Sequence, residues 1–337
     1  MKLRVRKNVY IVELYYMNCK LLSKKDIHIS KGNRFVPWTH NPKNNSICLN
    51  QKVVVFDLDE TLGSFADLYI LWCGVCQIWP SCQHFDLLLD AYPEFFRYGI
   101  LTILEYLYDC KQKGKCQKIF VYTNNQCSVT WVKQICNYME SRVIHNYFEQ
   151  SSSEKNSIKL FDQHICAFKI NNKPVELCRT SHQKRLDDFF RCSTISENAD
   201  ICFIDDVDYP YMKGSAVYYI CPRAYIHPLS TKEIIYRMLK SRWITEPEYS
   251  ILSSKSYWQN WFYIHRRRMI RKGVIDLSID LQISQKLIYH LSEFLHCKTW
   301  NTEPILKKTR SERKISSRRR AKDDKSIHNV TIKNRRK

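Results

Sequence analysis

The chain has 337 residues and 44% hydrophobic content, enough for one large folded domain with extensions or two small ones, which argues against disorder throughout. Its 7 glycines, with no G-x-G-x-x-G or Walker-type run, argue against a glycine-rich phosphate loop as the organising device. The net charge of +21 sits at the ends: residues 1–50 carry +8 (10 Lys/Arg, 2 acids), residues 301–337 carry +10 (14 and 4), and the 250 residues between carry only +3, the pattern of a nearly neutral folded body with electrostatic attachments.

In chain order, "NVYIVELYYM" (8–17) reads as a first strand and "SKGNRFVPWTHNPKNNS" (30–46) as an irregular link. Residues 52–58 are an apolar run suited to a strand buried on both faces. Ile100, Ile103, Leu104 and Leu107 fall at helical spacing. "KIFVYTNN" (118–125) is a second short strand, and Ser128 is placed to cap a helix whose apolar face is Val129, Val132, Cys136 and Met139. "HICAFKI" (164–170), "ADICFIDD" (199–206) and "AVYYI" (216–220) read as further strands. Beyond residue 230, Ser230 and Glu233 form a capping-box start, and Leu287, Leu291, Phe294 and Leu295 mark another amphipathic helix that packs on the core or forms a helical appendage.

Strands alternating with helices predict an α/β fold, with a parallel sheet covered on both faces and the ligand site at the strands' C-terminal ends. Three strands end in phosphate- or metal-capable groups: the first at Asp57, the next at Thr123, a later one at Asp205 and Asp206. Like charges as close as Asp57, Asp59 and Glu60 disfavour one another unless a cation, a proton or a phosphate-handling task holds them. Two carboxylates two residues apart can take different roles. One can attack phosphorus, and the other can protonate the leaving oxygen and later take a proton from water. Mg²⁺ suits such a site because it takes few protein oxygens, with Asp205 or Asp206 adding a carboxylate from elsewhere. Thr123 can donate to a phosphoryl oxygen. Lys184, in "RTSHQKRLDDFF", can complete the charge balance, with Lys169 and Lys173 as competitors.

"DLDETL" resembles the first motif of the haloacid dehalogenase (HAD) superfamily of phosphatases. It is especially similar to the branch of NLI-interacting-factor-like and RNA polymerase C-terminal-domain phosphatases. The family's Asp-x-Asp-x-Thr/Val motif is matched by Asp57, Asp59 and Thr61, its strand-ending Thr/Ser by Thr123 in "VYTNN", its Lys by Lys184, and its acidic pair by Asp205 and Asp206. The resemblance covers about residues 50–225. Within it, "ICAFKINNKPVELCRTS" and "ICFIDD" further resemble HAD-like proteins of large DNA viruses. Two stretches depart from the branch, "VDYP" after the acidic pair and "RYG" at 97–99.

The resemblance implies a three-layer Rossmann-like core with a small flap or cap. It makes Asp57 the nucleophile and Asp59 the general acid/base, with Thr123, Asn124 and Lys184 as phosphate-binding residues. It implies Mg²⁺ held by Asp57, by the backbone carbonyl of Asp59 and by the Asp205–Asp206 pair, with Asp206 as the ligand of the two.

The expected organisation is a basic extension (1–50), an HAD-like phosphatase core (51–229), a helical extension (230–300) and a disordered basic tail (301–337). The expected activity is hydrolysis of a phosphomonoester, on a phosphoprotein or a phosphorylated nucleic-acid end. The rival reading is a nucleic-acid-binding or virion-associated protein that keeps the fold with little activity. The tail, with "KKTRSERK", "SSRRRAK" and "KNRRK", is a candidate for phosphate backbones or for nuclear import, and "HRRRMIRK" (265–272) is either a solvated helix face or a phosphate-backbone contact. Cys73, Cys76, Cys82 and His84 offer zinc-type donors or ordinary buried thiols, in the segment expected to shape substrate access. The 15 cysteines form no regular framework, and Glu13 interrupts the first apolar stretch with no small-residue cleavage site after it. No apolar run reaches membrane-span length. A reduced, intracellular setting without a membrane is therefore expected, in the cytoplasm or nucleus, of a host cell or a virion if viral.

Overall fold

The computed structural model describes residues 22–35, 47–48, 50–150, 158–241, 243–244, 247–266, 277–297 and 299–300. The expected strand at 8–17, the tail at 301–337 and residues 267–272 of the basic cluster lie outside the described residues.

The apolar run after residue 51 forms β3 (Lys52–Phe56), buried along its whole length. Around it stand β4 (Lys118–Tyr122), β5 (Gln163–Ile165), β8 (Asp200–Ile204), β9 (Val217–Pro222) and β1 (Ile27–Lys31), in the order β1-β9-β8-β3-β4-β5. All pairings are parallel except β1–β9, which is antiparallel. The architecture is α/β with a mostly parallel six-stranded sheet, compatible with a Rossmann-like fold. β2 (Ile47–Cys48) pairs with β10 (Thr299–Trp300), away from this sheet.

Two expectations are corrected here. The sheet draws on residues ahead of 51, because β1 pairs Ile29 with Ile220 at one edge. The strand expected at 164–170 is broken: β5 ends at Ile165, and Lys169–Ile170 (β6) turns back on Lys173–Pro174 (β7). The turn residues Asn171 and Asn172 have φ of 50° and 62°, the left-handed pair that a two-residue hairpin needs and that Asn tolerates.

Side chains alternate across the sheet as the strand period requires. Val54, Phe56, Ile119, Val121, Cys202 and Ile204 face the larger core. There they meet α1 (Ala66–Ile78), α2 (Phe85–Ala91), α3 (Ile100–Gln112), α4 (Val129–Gln150), α6 (Thr231–Leu239), α7 (Lys255–His265) and α8 (Leu277–His296). Val53, Val55, Phe120, Tyr122, Ile201 and Phe203 face a smaller core closed by α5 (Leu186–Ser193) through Phe189 and Cys192. Both faces are covered, but unequally. The C-terminal helices α6–α8 contribute Ile234, Trp258 and Leu287 to the same core as the sheet, so this part packs on the body.

The local signals hold where the side chains could act alone. Ser128 Oγ accepts from Trp131 N at 3.0 Å, and Ser230 Oγ from Glu233 N at 3.1 Å. The Glu233 carboxylate does not close the capping box, because Arg237 Nε takes it at 2.8 Å. Helix α1 is clamped by α7: Tyr257 donates to Gly74 O at 2.6 Å and Trp261 to Ile70 O at 2.8 Å. A Cβ on Gly74 would sit 2.6 Å from the Trp258 ring, so only glycine permits this approach. Among the described residues no helix is long and apolar enough to cross a membrane.

Candidate active site

The register of the sheet assembles the site. Phe56 pairs with Val121 on one side and Ile204 on the other. The residue after β3, Asp57, therefore emerges beside the ends of β4 and β8, and its N–H donates to Ile204 O at 2.9 Å. Asp57, Asp59, Glu60, Thr123, Asn124, Asn125, Lys184, Asp205 and Asp206 line one cavity of about 360 Å³. Phe65, Trp131, Val207 and Tyr209 supply its apolar wall.

The chain leaves β3 in a tight loop. Leu62 N donates to Leu58 O at 2.9 Å, and Glu60 N to Gly63 O at 2.7 Å. A Cβ at Gly63 would lie 2.5 Å from Phe95 O, so the loop requires glycine there. Glu60 has φ of 58°, an uncommon region for a residue with a side chain. Its carbonyl is held by the Arg97 guanidinium and by Tyr225 N, and Arg97 also donates to Thr61 O at 2.6 Å. These bonds over-determine the turn that aims Asp57 and Asp59 into the cavity.

Lys184 is buried and bridges two carboxylates: its Nζ lies 2.5 Å from Asp57 Oδ1 and 2.6 Å from Asp205 Oδ2. Burial alone would favour neutral lysine, but these two anions outweigh it and hold the ammonium charged. Lys169 and Lys173 lie on the β6–β7 hairpin, and neither pairs with these carboxylates. Asp205 Oδ1 is also taken, by Val207 N at 2.9 Å. Asp206 accepts from Thr61 Oγ1 at 2.9 Å through Oδ1, and its N–H donates back to that hydroxyl at 3.0 Å.

Asp59 is held apart from this ion pair and accepts from Asn125 Nδ2 at 2.7 Å. Burial pushes its carboxyl up to about 6, aided by Asp57 and opposed by the Asn125 bond. Glu60 rises to about 8, through burial and the neighbouring Asp59, Asp206 and Asp57. Burial also raises Asp205 and Asp206, with Lys184 opposing the rise at both. Asp57 and Asp59 thus sit in different surroundings: Asp57 contacts a cation, and Asp59 sits where a proton is easily held.

Thr123 Oγ1 accepts from Asn125 N at 3.0 Å, which leaves its own hydroxyl hydrogen to donate. Asn124 lines the cavity, but Arg179 holds its side-chain oxygen at 2.7 Å and its amide reaches Tyr209 OH at 3.1 Å. Asn125, rather than Asn124, makes the side-chain contact with the carboxylate cluster. Asn125, Tyr209, Arg97 and Arg179 are the participants sequence reasoning missed. "TNN" offered a signal for Asn125, and Arg97, Tyr209 and Arg179 lie in the stretches "RYG", "VDYP" and "VELCRTS" noted in the sequence, though no role was read for them there.

Among the described residues, two sets of three metal-capable atoms lie within 4.8 Å of one another. One is Asp57, Asp205 and Asp206, all hard oxygen donors that fit Mg²⁺ better than a soft metal. With Asp205 already bonded through both oxygens, Asp57 and Asp206 offer the freer atoms. The other set is Glu176, Cys178 and Cys192, whose two sulfurs are joined in a disulfide with Cα atoms 5.2 Å apart. The expectation of wholly reduced cysteines is corrected at this pair, which the packing of α5 brings together across 14 residues. Cys73, Cys76, Cys82 and His84 belong to neither set. Among the described residues these four donors are not brought together as a metal-binding set, which leaves the reading of ordinary thiols, and no residue from 73 to 84 lines the cavity.

No family model, curated protein or solved structure matches this chain.

Proposed function

We propose that this chain is an HAD-type phosphatase that hydrolyses a phosphomonoester through an aspartyl-phosphate on Asp57, with Mg²⁺ as its cofactor. The observation that carries the reading is the pairing of Asp57 with Lys184 while Asp59, two residues on, stays outside that ion pair with its carboxyl raised to about 6. A structural ion pair explains Lys184 and Asp57 alone. It does not explain a second buried carboxyl aimed into the same cavity.

In this reading an Asp57 carboxylate oxygen attacks phosphorus, the ester P–O bond breaks, and Asp59 gives its proton to the leaving oxygen. Asp59, now ionised, takes a proton from water. The water oxygen attacks phosphorus, releasing inorganic phosphate and restoring Asp57. Lys184 and Thr123 steady the phosphoryl oxygens as charge shifts among them. Asp57, Asp206 and the backbone carbonyl of Asp59 would hold Mg²⁺, which supplies positive charge that lessens repulsion between the phosphate and the carboxylates. The substrate in this reading is a phosphoprotein, with a phosphorylated nucleic-acid end as the second possibility.

The test is a phosphatase assay with Mg²⁺ on a generic ester, a phosphopeptide panel and 3′- or 5′-phosphorylated oligonucleotides. Asp57→Asn serves as control. Turnover by wild type and none by the variant supports the reading, whereas equal release from both sinks it.

A second reading is favoured by the charge at the two ends, +8 over residues 1–50 and +10 over residues 301–337. It makes the chain a polyanion-binding, virion- or nucleic-acid-associated protein with little turnover. Salt-dependent DNA or RNA binding without phosphate release from any of the three substrate classes would select it.

A further inference from the structure

Arg179 is almost wholly buried, yet among the described residues it forms no ion pair with a carboxylate. Burial accordingly lowers its pKa. A guanidinium taken from water without a counter-ion is costly unless its N–H groups all find acceptors. Four of its five do. One terminal nitrogen donates to Thr123 O at 3.0 Å and Cys166 O at 2.8 Å. The other donates to Asn124 Oδ1 at 2.7 Å and His182 O at 3.1 Å. The Nε–H has no partner. The planar group lies 4.7 Å from the centroid of the Tyr122 ring, which offers its negative face in place of an anion.

These acceptors belong to three chain segments. Thr123 and Asn124 follow β4, Cys166 follows β5, and His182 lies two residues before Lys184. The residues beside Arg179 are fixed independently. Cys178 is bonded to Cys192 on α5, and Thr180 donates its N–H and hydroxyl to Asp188 on the same helix. Arg179 itself does not line the cavity.

We infer that Arg179 is a positioning residue. Its fork sets the distance between the Thr123–Asn125 loop and the segment that carries Lys184, so that hydroxyl and ammonium converge on one phosphoryl group. The inference rests on the phosphatase reading for its effect on rate, and on the geometry alone for its effect on the two loops. A lysine cannot replace the group, because one ammonium lacks the planar span that reaches three segments at once.

The test uses the full chain carrying Arg179→Lys, and Arg179→Ala with and without added guanidinium chloride at low millimolar concentration. The expected result is a kcat lower by about 10²-fold in both variants, with KM changed by less than about threefold, since a misplacement of about 1 Å is enough for such a loss. Guanidinium should recover part of the rate of Arg179→Ala and none of that of Arg179→Lys. A fall in melting temperature with kcat intact would overturn the inference and leave Arg179 a purely structural residue.

Amide hydrogen exchange provides a readout that needs no turnover. In Arg179→Lys, exchange should quicken about tenfold or more at Asn125, whose N–H is bonded to Thr123 Oγ1, and across residues 180–185, while β3 and β8 keep wild-type protection. Unchanged exchange in both loops would overturn the positioning role. If wild type released no phosphate, the phosphatase reading would fall, and the exchange result would still decide for or against Arg179.

Discussion

Asn125 gives its side-chain amide to the carboxylate of Asp59 across 2.7 Å, so a residue from the end of β4 fixes the orientation of a carboxyl from the end of β3. The bond predicts a graded series of losses. Asp57→Asn should abolish turnover while the protein stays folded, because an amide cannot form the acyl-phosphate. Asp59→Asn should lower kcat by about 10²–10⁴-fold, the range expected when a general acid is lost. Asn125→Ala should cost less than Asp59→Asn, since the carboxyl remains and only its aim is loosened. Steady-state kinetics on a generic phosphoester would measure all three, and a wild-type rate in Asp59→Asn would end its role as proton donor.

The carboxylates predict a response to metal in the folded protein at rest. Asp57, Asp205 and Asp206 crowd their oxygens within 4.8 Å, with Lys184 as the bridging cation. A divalent cation that binds only the folded chain should raise the melting temperature in proportion to the logarithm of its concentration. Mg²⁺ should do so in wild type, EDTA should reverse it, and Asp206→Asn should blunt it. An Asp206→Asn protein with an undiminished shift would remove Asp206 from the ligand set.

Lys184 should matter for stability as well as for rate. Replacing it with Met leaves Asp57 and Asp205 buried without their bridging ammonium, a change that costs about 3–5 kcal/mol when a buried pair is broken. Urea unfolding should register that loss, and Mg²⁺ should return part of it by supplying the missing charge. Equal midpoints for wild type and Lys184→Met would mean that the bridge contributes nothing in solution.

A remote histidine makes stability depend on pH. His290 on α8 is buried against Tyr218, whose hydroxyl lies 2.7 Å from Nδ1, and burial lowers its pKa to about 4. The unfolded chain holds a proton on this ring below about 6.5 and the folded chain does not until about 4. The stabilising term is therefore present above about 6.5 and is lost as pH falls through that window, with a full amplitude on the order of 3 kcal/mol. His164, likewise lowered to about 4 by burial, acts in the same direction. Asp59, Glu60 and Asp205, raised to about 6, 8 and 7, act in the opposite direction over this window, so the readout is the difference between wild type and His290→Gln, which should shift in favour of wild type as pH climbs from 4 to 7. A difference that stays constant with pH would show that His290 is not buried as a neutral ring.

The Cys178–Cys192 bond closes a loop of 14 residues' separation, for which the chain-entropy account expects about 3 kcal/mol. Dithiothreitol should lower the unfolding midpoint of wild type but not that of a Cys178→Ser, Cys192→Ser protein. Equal sensitivity in the two would assign the reductant's effect elsewhere.

Much of the sheet was legible in the sequence because its central strands are continuous apolar runs. β3, β4, β8 and β9 lie where Val53, Ile119, Ile201 and Val217 announce them. β1 was missed because an edge strand is only half-buried: "IHISK" carries one buried residue among five. β5 and β6 were read as one strand because Ala167 and Phe168 continue the apolar pattern across the break between Ile165 and Lys169.

The carboxylates and Lys184 were legible from residue type and order. Arg179 and Tyr209 were not, since their roles depend on backbone acceptors and on partners 85 or fewer residues away that no local pattern encodes. The disulfide was equally hidden, because 15 cysteines permit many pairings and only the docking of α5 selects one.

The strand order also bears on how the chain is made. β3 lies between β4 and β8, so Asp57 leaves the ribosome about 150 residues ahead of Asp205. At ordinary elongation rates of about 5–20 residues per second, that interval is about 7–30 s. Throughout it the β3 edge destined for β8 has no strand to receive, and the Asp57 carboxylate has neither Lys184 nor Asp205 beside it. Closure of β9 against β1 comes later still, joining residues 27–31 to 218–222. The half-built sheet thus leaves an unpaired β3 edge open to other nascent chains until the second half of the core is translated.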